Sequence, residues 1–216
     1  TIIPNGVDPE LFLPLPERPR FMVTEDEEVV FFIGRLVPEK GVCFLLRAFP
    51  QVLQEVPNAR LYIGGRGPQQ KELERMVFSL GLDEQVYFTG FIYSEERNYV
   101  YQKARVAVFP SLYEPFGIVA LEAMATSTPV VVADTGGLGE IVENEVTGLK
   151  VTPGEENELA EAVIRILTDR ALADKLRANA AQVLATTYNW DVIARKTAEV
   201  YAGALSSGTR QVLVHG

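Results

Sequence analysis

The sequence predicts a doubly wound α/β domain, with helices on both faces of a parallel sheet of about six strands. Three observations predict it. Short β-branched or aromatic runs alternate with helix-period segments along the chain, and most of the runs stop at Gly or Pro. The run Val130-Val131-Val132-Ala133 is apolar throughout, as a strand covered on both faces requires. With 216 residues and 47% hydrophobic content, the chain has enough apolar surface to bury one substantial core, so a single domain is expected.

The elements follow in order. A strand over 29–34 (Val-Val-Phe-Phe-Ile-Gly) leads into a helix over 41–55, where Phe44, Leu45, Ala48, Val52 and Leu53 share a stripe. A second strand over 59–64 precedes a helix over 69–80, and a third over 85–90 precedes a helix over 95–104. The fourth strand, 106–109, stops at Pro110, and a helix starts after Gly117. Strands over 129–133 and 149–151 complete the set. Helices over 158–168 and 191–205 close the domain, the first burying Leu159, Val163, Ile166 and Leu167 and the second Val192, Ile193, Val200, Tyr201 and Leu205. The order implies right-handed crossovers, and ligands of such sheets bind beyond the carboxyl ends of the strands. Ser206 to Arg210 reads as loose linker, and Gln211 to Val214 as either a short strand or the start of a continuation.

Composition removes several function classes. A net charge of −9 and a pI near 4.8 argue against a nucleic-acid surface, which needs clustered Lys and Arg, so any phosphate site must be local. No apolar run approaches the ~20 residues of a membrane span, and no signal-peptide pattern is present. A soluble, cytoplasmic protein without membrane contact is expected. The single cysteine, Cys43, lies in an apolar run and is expected to be a buried thiol. The only histidine, His215, falls in the tail, and neither a Gly-x-Gly-x-x-Gly fingerprint nor a Gly-x-x-x-x-Gly-Lys-Ser/Thr loop is complete. The chain opens at Thr1 with a short apolar stub and reads as a piece of something larger.

The loops at the strand ends carry the chemistry. After the first strand, Gly34-Arg35-Leu36-Val37-Pro38-Glu39-Lys40-Gly41 brings two cations to a helix start. Alone they are ordinary charges of a solvated loop; together they also suit a diphosphate. After the second strand, Gly64-Gly65-Arg66-Gly67-Pro68 permits close backbone approach to a ligand. After the fourth, Ser111-Leu112-Tyr113-Glu114-Pro115-Phe116-Gly117 turns into a helix whose first amides, on Gly117, Ile118 and Val119, form an anion site. Glu122, one turn into that helix, can accept hydrogen bonds from a vicinal diol such as a ribose. Glu114, still in the loop, is placed for a second polyol such as a hexose. Either glutamate alone is also explained as a charge favoured by the helix dipole.

Glu114 and Glu122 are separated by seven residues, with Pro-Phe-Gly after the first and Ala-Met-Ala after the second. This resembles the signature of retaining glycosyltransferases of the family 4 type. Ile3-Pro4-Asn5-Gly6-Val7-Asp8, Gly34-Arg35 with Lys40-Gly41, Gly65-Arg66-Gly67-Pro68, Phe88-Thr89-Gly90-Phe91 and Gly136-Gly137-Leu138-Gly139-Glu140 follow in the family's order, from Ile3 to about Tyr201. The resemblance implies the C-terminal, Rossmann-like half of a GT-B fold. Residues 1–206 would form the nucleotide-sugar domain, with 1–10 the end of an interdomain linker, 207–216 a tail and the N-terminal acceptor domain absent.

The same resemblance implies transfer of a hexosyl unit from a UDP-, GDP- or ADP-linked sugar, without a metal or other cofactor. Arg35 and Lys40 would neutralise the diphosphate and Glu114 would contact the transferred sugar, these three forming the catalytic set. Glu122 would bind ribose, while Gly34, Ser111 and the backbone of Phe116, Gly117, Ile118 and Val119 would hold the rest of the donor, with Phe91 near the base. The chain contains no Asp-x-Asp. It departs from the family's pattern at Arg66, where an acidic residue is common, and at Gly139, where a proline is common. Two other classes share features with this pattern: a non-catalytic nucleotide-binding or assembly module, and a GT-B sugar-nucleotide epimerase or glycoside phosphorylase.

Overall fold

The computed structural model describes residues 3–12, 15 and 19–212, the last seven as backbone only. Six parallel strands form one sheet: β1 (Glu28–Ile33), β2 (Ala59–Gly64), β3 (Val86–Gly90), β4 (Val106–Phe109), β5 (Val130–Ala133) and β6 (Leu149–Val151). Their spatial order is β3-β2-β1-β4-β5-β6. The chain therefore winds outward from β1 in one direction and then from β4 in the other, and the β1/β4 boundary is the topological switch point. All six strands stand where the alternating pattern predicts them.

Among the described residues, eight α-helices accompany the sheet: α1 (Val42–Glu55), α2 (Gln70–Ser79), α3 (Ser94–Lys103), α4 (Ile118–Ala125), α5 (Gly136–Ile141), α6 (Glu156–Thr168), α7 (Arg170–Thr186) and α8 (Trp190–Val212). Alternate residues of each strand serve opposite faces. Val30, Phe32, Leu61 and Val108 pack with α1, α2 and α6 in one core, whereas Val29, Phe31, Ala107 and Phe109 pack with α3, α4 and α5 in the other. Helix α7 contributes to both, Ala173 and Leu176 to the first and Ala180 and Leu184 to the second.

Four expectations are corrected. Helix α7 is absent from the sequence reading because two of its four buried positions are alanine, which gives a weak periodic signal. The segment 136–141, given no element in the sequence reading, forms the short helix α5. Helix α8 continues to Val212, across the segment read as linker, and of its predicted inward stripe only Ile193 is buried; Val200, Tyr201 and Leu205 are exposed. Cys43 is half-buried at the edge of the first core, and burial pushes its thiol above the ordinary value. Positions 213–214 of the final segment, and His215, lie outside the described residues.

The N-terminal segment lies along the second core face. Val7 donates to the Tyr188 carbonyl at 2.8 Å, and Phe12, in a single 3-10 turn over Pro9–Phe12, is buried. Trp190 lies within packing distance of Gly6 yet is half exposed.

Candidate functional site

The loops leaving β1 and β4 flank the switch point, and they are tied to each other through the backbone. The Glu39 carbonyl accepts hydrogen bonds from the amides of Leu112 (2.8 Å) and Tyr113 (3.3 Å). Gly41, with φ of 66°, ends the 3-10 turn Pro38–Lys40 and caps α1. A Cβ there would lie 2.0 Å from the Pro110 carbonyl oxygen, so only glycine lets the two loops touch.

A second tie joins the β4 loop to α5. The Gly137 amide donates to the Glu114 carbonyl at 2.8 Å, and Thr135 Oγ1 donates to the Leu112 carbonyl at 3.3 Å. Gly136, with φ of 46°, packs so closely that a Cβ would lie 2.2 Å from the Glu114 carbonyl oxygen. The glycines at 65, 67, 136 and 137 were expected to admit a ligand or to complete a motif. Each admits a neighbouring backbone: Gly34, Leu36, Glu114 and Phe116 respectively.

These ties place the side chains. Lys40 Nζ lies 2.5 Å from Glu114 Oε2, both side chains mostly buried, so two of the three predicted catalytic residues form one ion pair. Arg35 is exposed at the rim. It lines a cleft of about 250 Å³ with Ile33, Gly34, Arg66, Phe91 and Ile92. Phe91 is half exposed and stands edge-on to Tyr93, with ring centroids 5.3 Å apart. Ser111 is buried below the β4 loop, and Phe116 is exposed above it.

Helix α4 begins at Gly117, so the amides of Ile118 and Val119 occupy its first turn, where no intrahelical acceptor exists. The predicted residues thus gather at one edge of the sheet. Gly34, Arg35 and Lys40 come from one side of the switch point, Ser111 through Glu122 from the other, and Phe91 from the end of β3.

Glu122 has partners that the sequence reading missed. Arg97 Nη1 donates to Glu122 Oε1 at 3.1 Å, and the Tyr101 hydroxyl lies 3.4 Å from Oε2 and 3.3 Å from the Val119 carbonyl. Both partners come from α3, spaced i, i+4, which puts them on one face. That spacing was the available signal. Burial pushes the Glu122 carboxyl above its ordinary value, and the Arg97 charge and the Tyr101 hydroxyl pull it back. Burial also pushes the Tyr101 phenol well up, so it stays a proton donor.

Among the described residues no three His, Cys, Asp or Glu side chains gather as a metal-binding cluster, and no helix is long and apolar enough to cross a membrane.

Comparison with known proteins meets this geometry. An uncharacterised glycosyltransferase of Methanocaldococcus jannaschii is 40% identical over 211 residues, covering 94% of this chain and 54% of the relative. Among solved structures, sucrose-phosphate synthase of Thermosynechococcus elongatus superposes with a TM-score of 0.84 at 36% identity, covering 96% of this chain and 53% of that one. HepE of Anabaena, solved in complex with UDP and glucose, superposes at 0.80 with 27% identity, covering 94% and 57%. The chain thus spans about half the length of the curated relatives it matches. The fold is that of the C-terminal domain of GT-B glycosyltransferases. Residues 16–183 match the family model described as glycosyl transferases group 1, and the chain belongs to that family.

Proposed function

We propose that this chain is the donor-binding domain of a retaining glycosyltransferase, which takes a hexosyl unit from a nucleoside-diphosphate sugar and passes it to an acceptor held by an N-terminal domain of the same protein. One observation carries the reading: at the switch point, the loop that bears Arg35 and Lys40 is fastened through the Glu39 carbonyl to the loop that leads into the first turn of α4. That pairing of cations with free amides suits a diphosphate.

In this reading the chemistry is electrostatic. Negative charge grows on the departing phosphate as the glycosidic bond breaks, and fixed cations and amides at that point lower the barrier without a metal ion. Lys40 has three donors, so it can hold Glu114 and a phosphate oxygen together. Glu114 is thereby kept in place for hydroxyls of the transferred sugar. Glu122 retains acceptor capacity beyond its two partners, enough for ribose hydroxyls. The cleft beside Phe91 and Ile92 takes the base. The UDP and glucose bound by HepE support a nucleotide-sugar ligand, and the half-length match to relatives supports a further domain for the acceptor.

Calorimetric titration with UDP, GDP and ADP tests the reading. At least one should bind with a dissociation constant of about 1 mM or tighter, an affinity near 4 kcal/mol. Failure of all three, or unchanged binding in Glu122→Ala, overturns the site assignment. Transfer itself is read as nucleotide release when the longer parent protein is screened against sugar nucleotides.

A further inference from the structure

Arg97 is built into the molecule more elaborately than an ordinary surface arginine. Its guanidinium lies between two groups: Glu122 Oε1 at 3.1 Å on one side and the ring of Phe12 on the other, with Cζ 4.8 Å from the ring centroid. Phe12 is 5% exposed, so this cation–π contact is screened from water. Two further bonds hold the Phe12 turn against α3, from Asn98 Nδ2 to the Leu11 carbonyl and from Gln102 Nε2 to the Phe12 carbonyl, both 3.0 Å. Arg97 Nε is buried with no acceptor among the described residues. An orphaned donor of this kind costs free energy, so the guanidinium's position is held against a local penalty. Arginine tolerates this environment because its charge is delocalised over a plane that can stack and donate at once.

We propose that Arg97, braced by Phe12, is a positioning residue for the donor site: it fixes the direction of the Glu122 carboxylate and keeps it ionised for the ribose hydroxyls. The proposal rests on the donor reading above. Its physical reason is the burial of Glu122. A carboxylate withdrawn this far from water, with 16% of its side chain still exposed, is pushed toward the protonated form, which accepts fewer hydrogen bonds and turns one oxygen into a donor. α3 supplies Arg97 and Tyr101, and the titration of Glu122 responds to these two groups and to burial. Tyr101 offers a hydrogen bond without charge. Arg97 alone supplies the positive charge.

The test compares a nucleoside diphosphate with its 2′,3′-dideoxy counterpart, using whichever of UDP, GDP and ADP binds most tightly, across roughly pH 5 to 8. Arg97→Gln should weaken the ribonucleotide about tenfold at neutral pH, while leaving the dideoxy compound bound as in the parent chain. The loss should shrink as pH rises, because the Glu122 carboxyl of the variant then ionises. Arg97→Lys, which keeps the charge, should keep the parent's pH profile even if its affinity falls. In a Glu122→Gln background, Arg97→Gln should have no further effect on ribonucleotide binding.

Because Arg97→Gln leaves a buried carboxylate unpaired, its fold is checked by circular dichroism, and a carbon-13 titration of the Glu122 carboxyl reads its charge without ligand. The midpoint should rise in Arg97→Gln and stay near the parent's in Arg97→Lys. Binding in the parent with equal loss for ribose and dideoxy compounds, or an unmoved midpoint, overturns the proposal alone. Failure of every nucleoside diphosphate to bind the parent overturns the donor reading and the proposal with it.

Discussion

Glu114 and Glu122 are each paired with one cation, yet the two pairs are built for opposite purposes. Glu114 sits in a loop and meets Lys40, a flexible point charge from a neighbouring loop. Glu122 sits in a helix and meets Arg97, a planar group clamped by a buried aromatic ring, with Tyr101 on its second oxygen. In the proposed donor site, the first pair would share its cation with an incoming phosphate. The second holds its carboxylate still. Under the proposed donor reading the two glutamates divide the work: one end of the donor would be met by an adjustable contact and the other by a fixed one.

The contrast can be broken from its stiff side first. Arg97→Met leaves Glu122 buried without a counter-ion, and a broken buried pair of this kind costs about 3 kcal/mol in denaturant unfolding at neutral pH. Part of that loss should return on acidification. The folded state then holds the Glu122 proton more tightly than the unfolded chain does, so stability rises as pH falls from the folded value toward the unfolded one. A loss that is the same at every pH would mean that Arg97 acts through packing alone.

The next effect concerns the frame that both pairs hang from. Gly41→Ala places a Cβ against the Pro110 carbonyl and puts a side chain at positive φ, and about 2 kcal/mol of stability should be lost, with weaker nucleoside-diphosphate binding. Unchanged binding in a folded Gly41→Ala chain would show that the loop tie is dispensable for the site.

On the adjustable side, Lys40→Met leaves the mostly buried Glu114 without its cation and should cost about 1 kcal/mol of stability. Its larger effect should be on ligand: about tenfold on a nucleoside diphosphate and much less on the nucleoside. Equal loss for both would place Lys40 away from the phosphates. The smallest change expected is Tyr101→Phe, which removes one hydroxyl from Glu122 and should cost roughly 0.5–1 kcal/mol by thermal unfolding.

The six strands were legible because parallel strands buried on both faces leave short apolar runs, and each run ends where a loop must turn. Helix α7 was not, because Ala173 and Ala180 bury little surface each and carry no strong period. The far half of α8 misled for the reverse reason: Val200, Tyr201 and Leu205 have helical spacing, but the described part of the molecule offers no core at that end.

At the site, the glutamates, Arg35 and Lys40 were readable from their place at the strand ends. Arg97 was not, because it sits in a polar helix whose function depends on what lies across from it. Periodicity reports which face a residue shares, never which carboxylate it will meet. The glycines were legible as special positions, but composition does not name the neighbouring backbone that each one admits.

The backbone ties among the strand-end loops bear on how this site can be re-engineered. A loop exchanged alone from a relative would arrive without its matching neighbour: the 34–41 segment is cut to fit Pro110, and the 110–117 segment to fit Gly136 and Gly137. The smallest interchangeable cassette is therefore three loops moved together, whereas side chains at the rim, such as Arg66 and Phe91, can be varied one at a time.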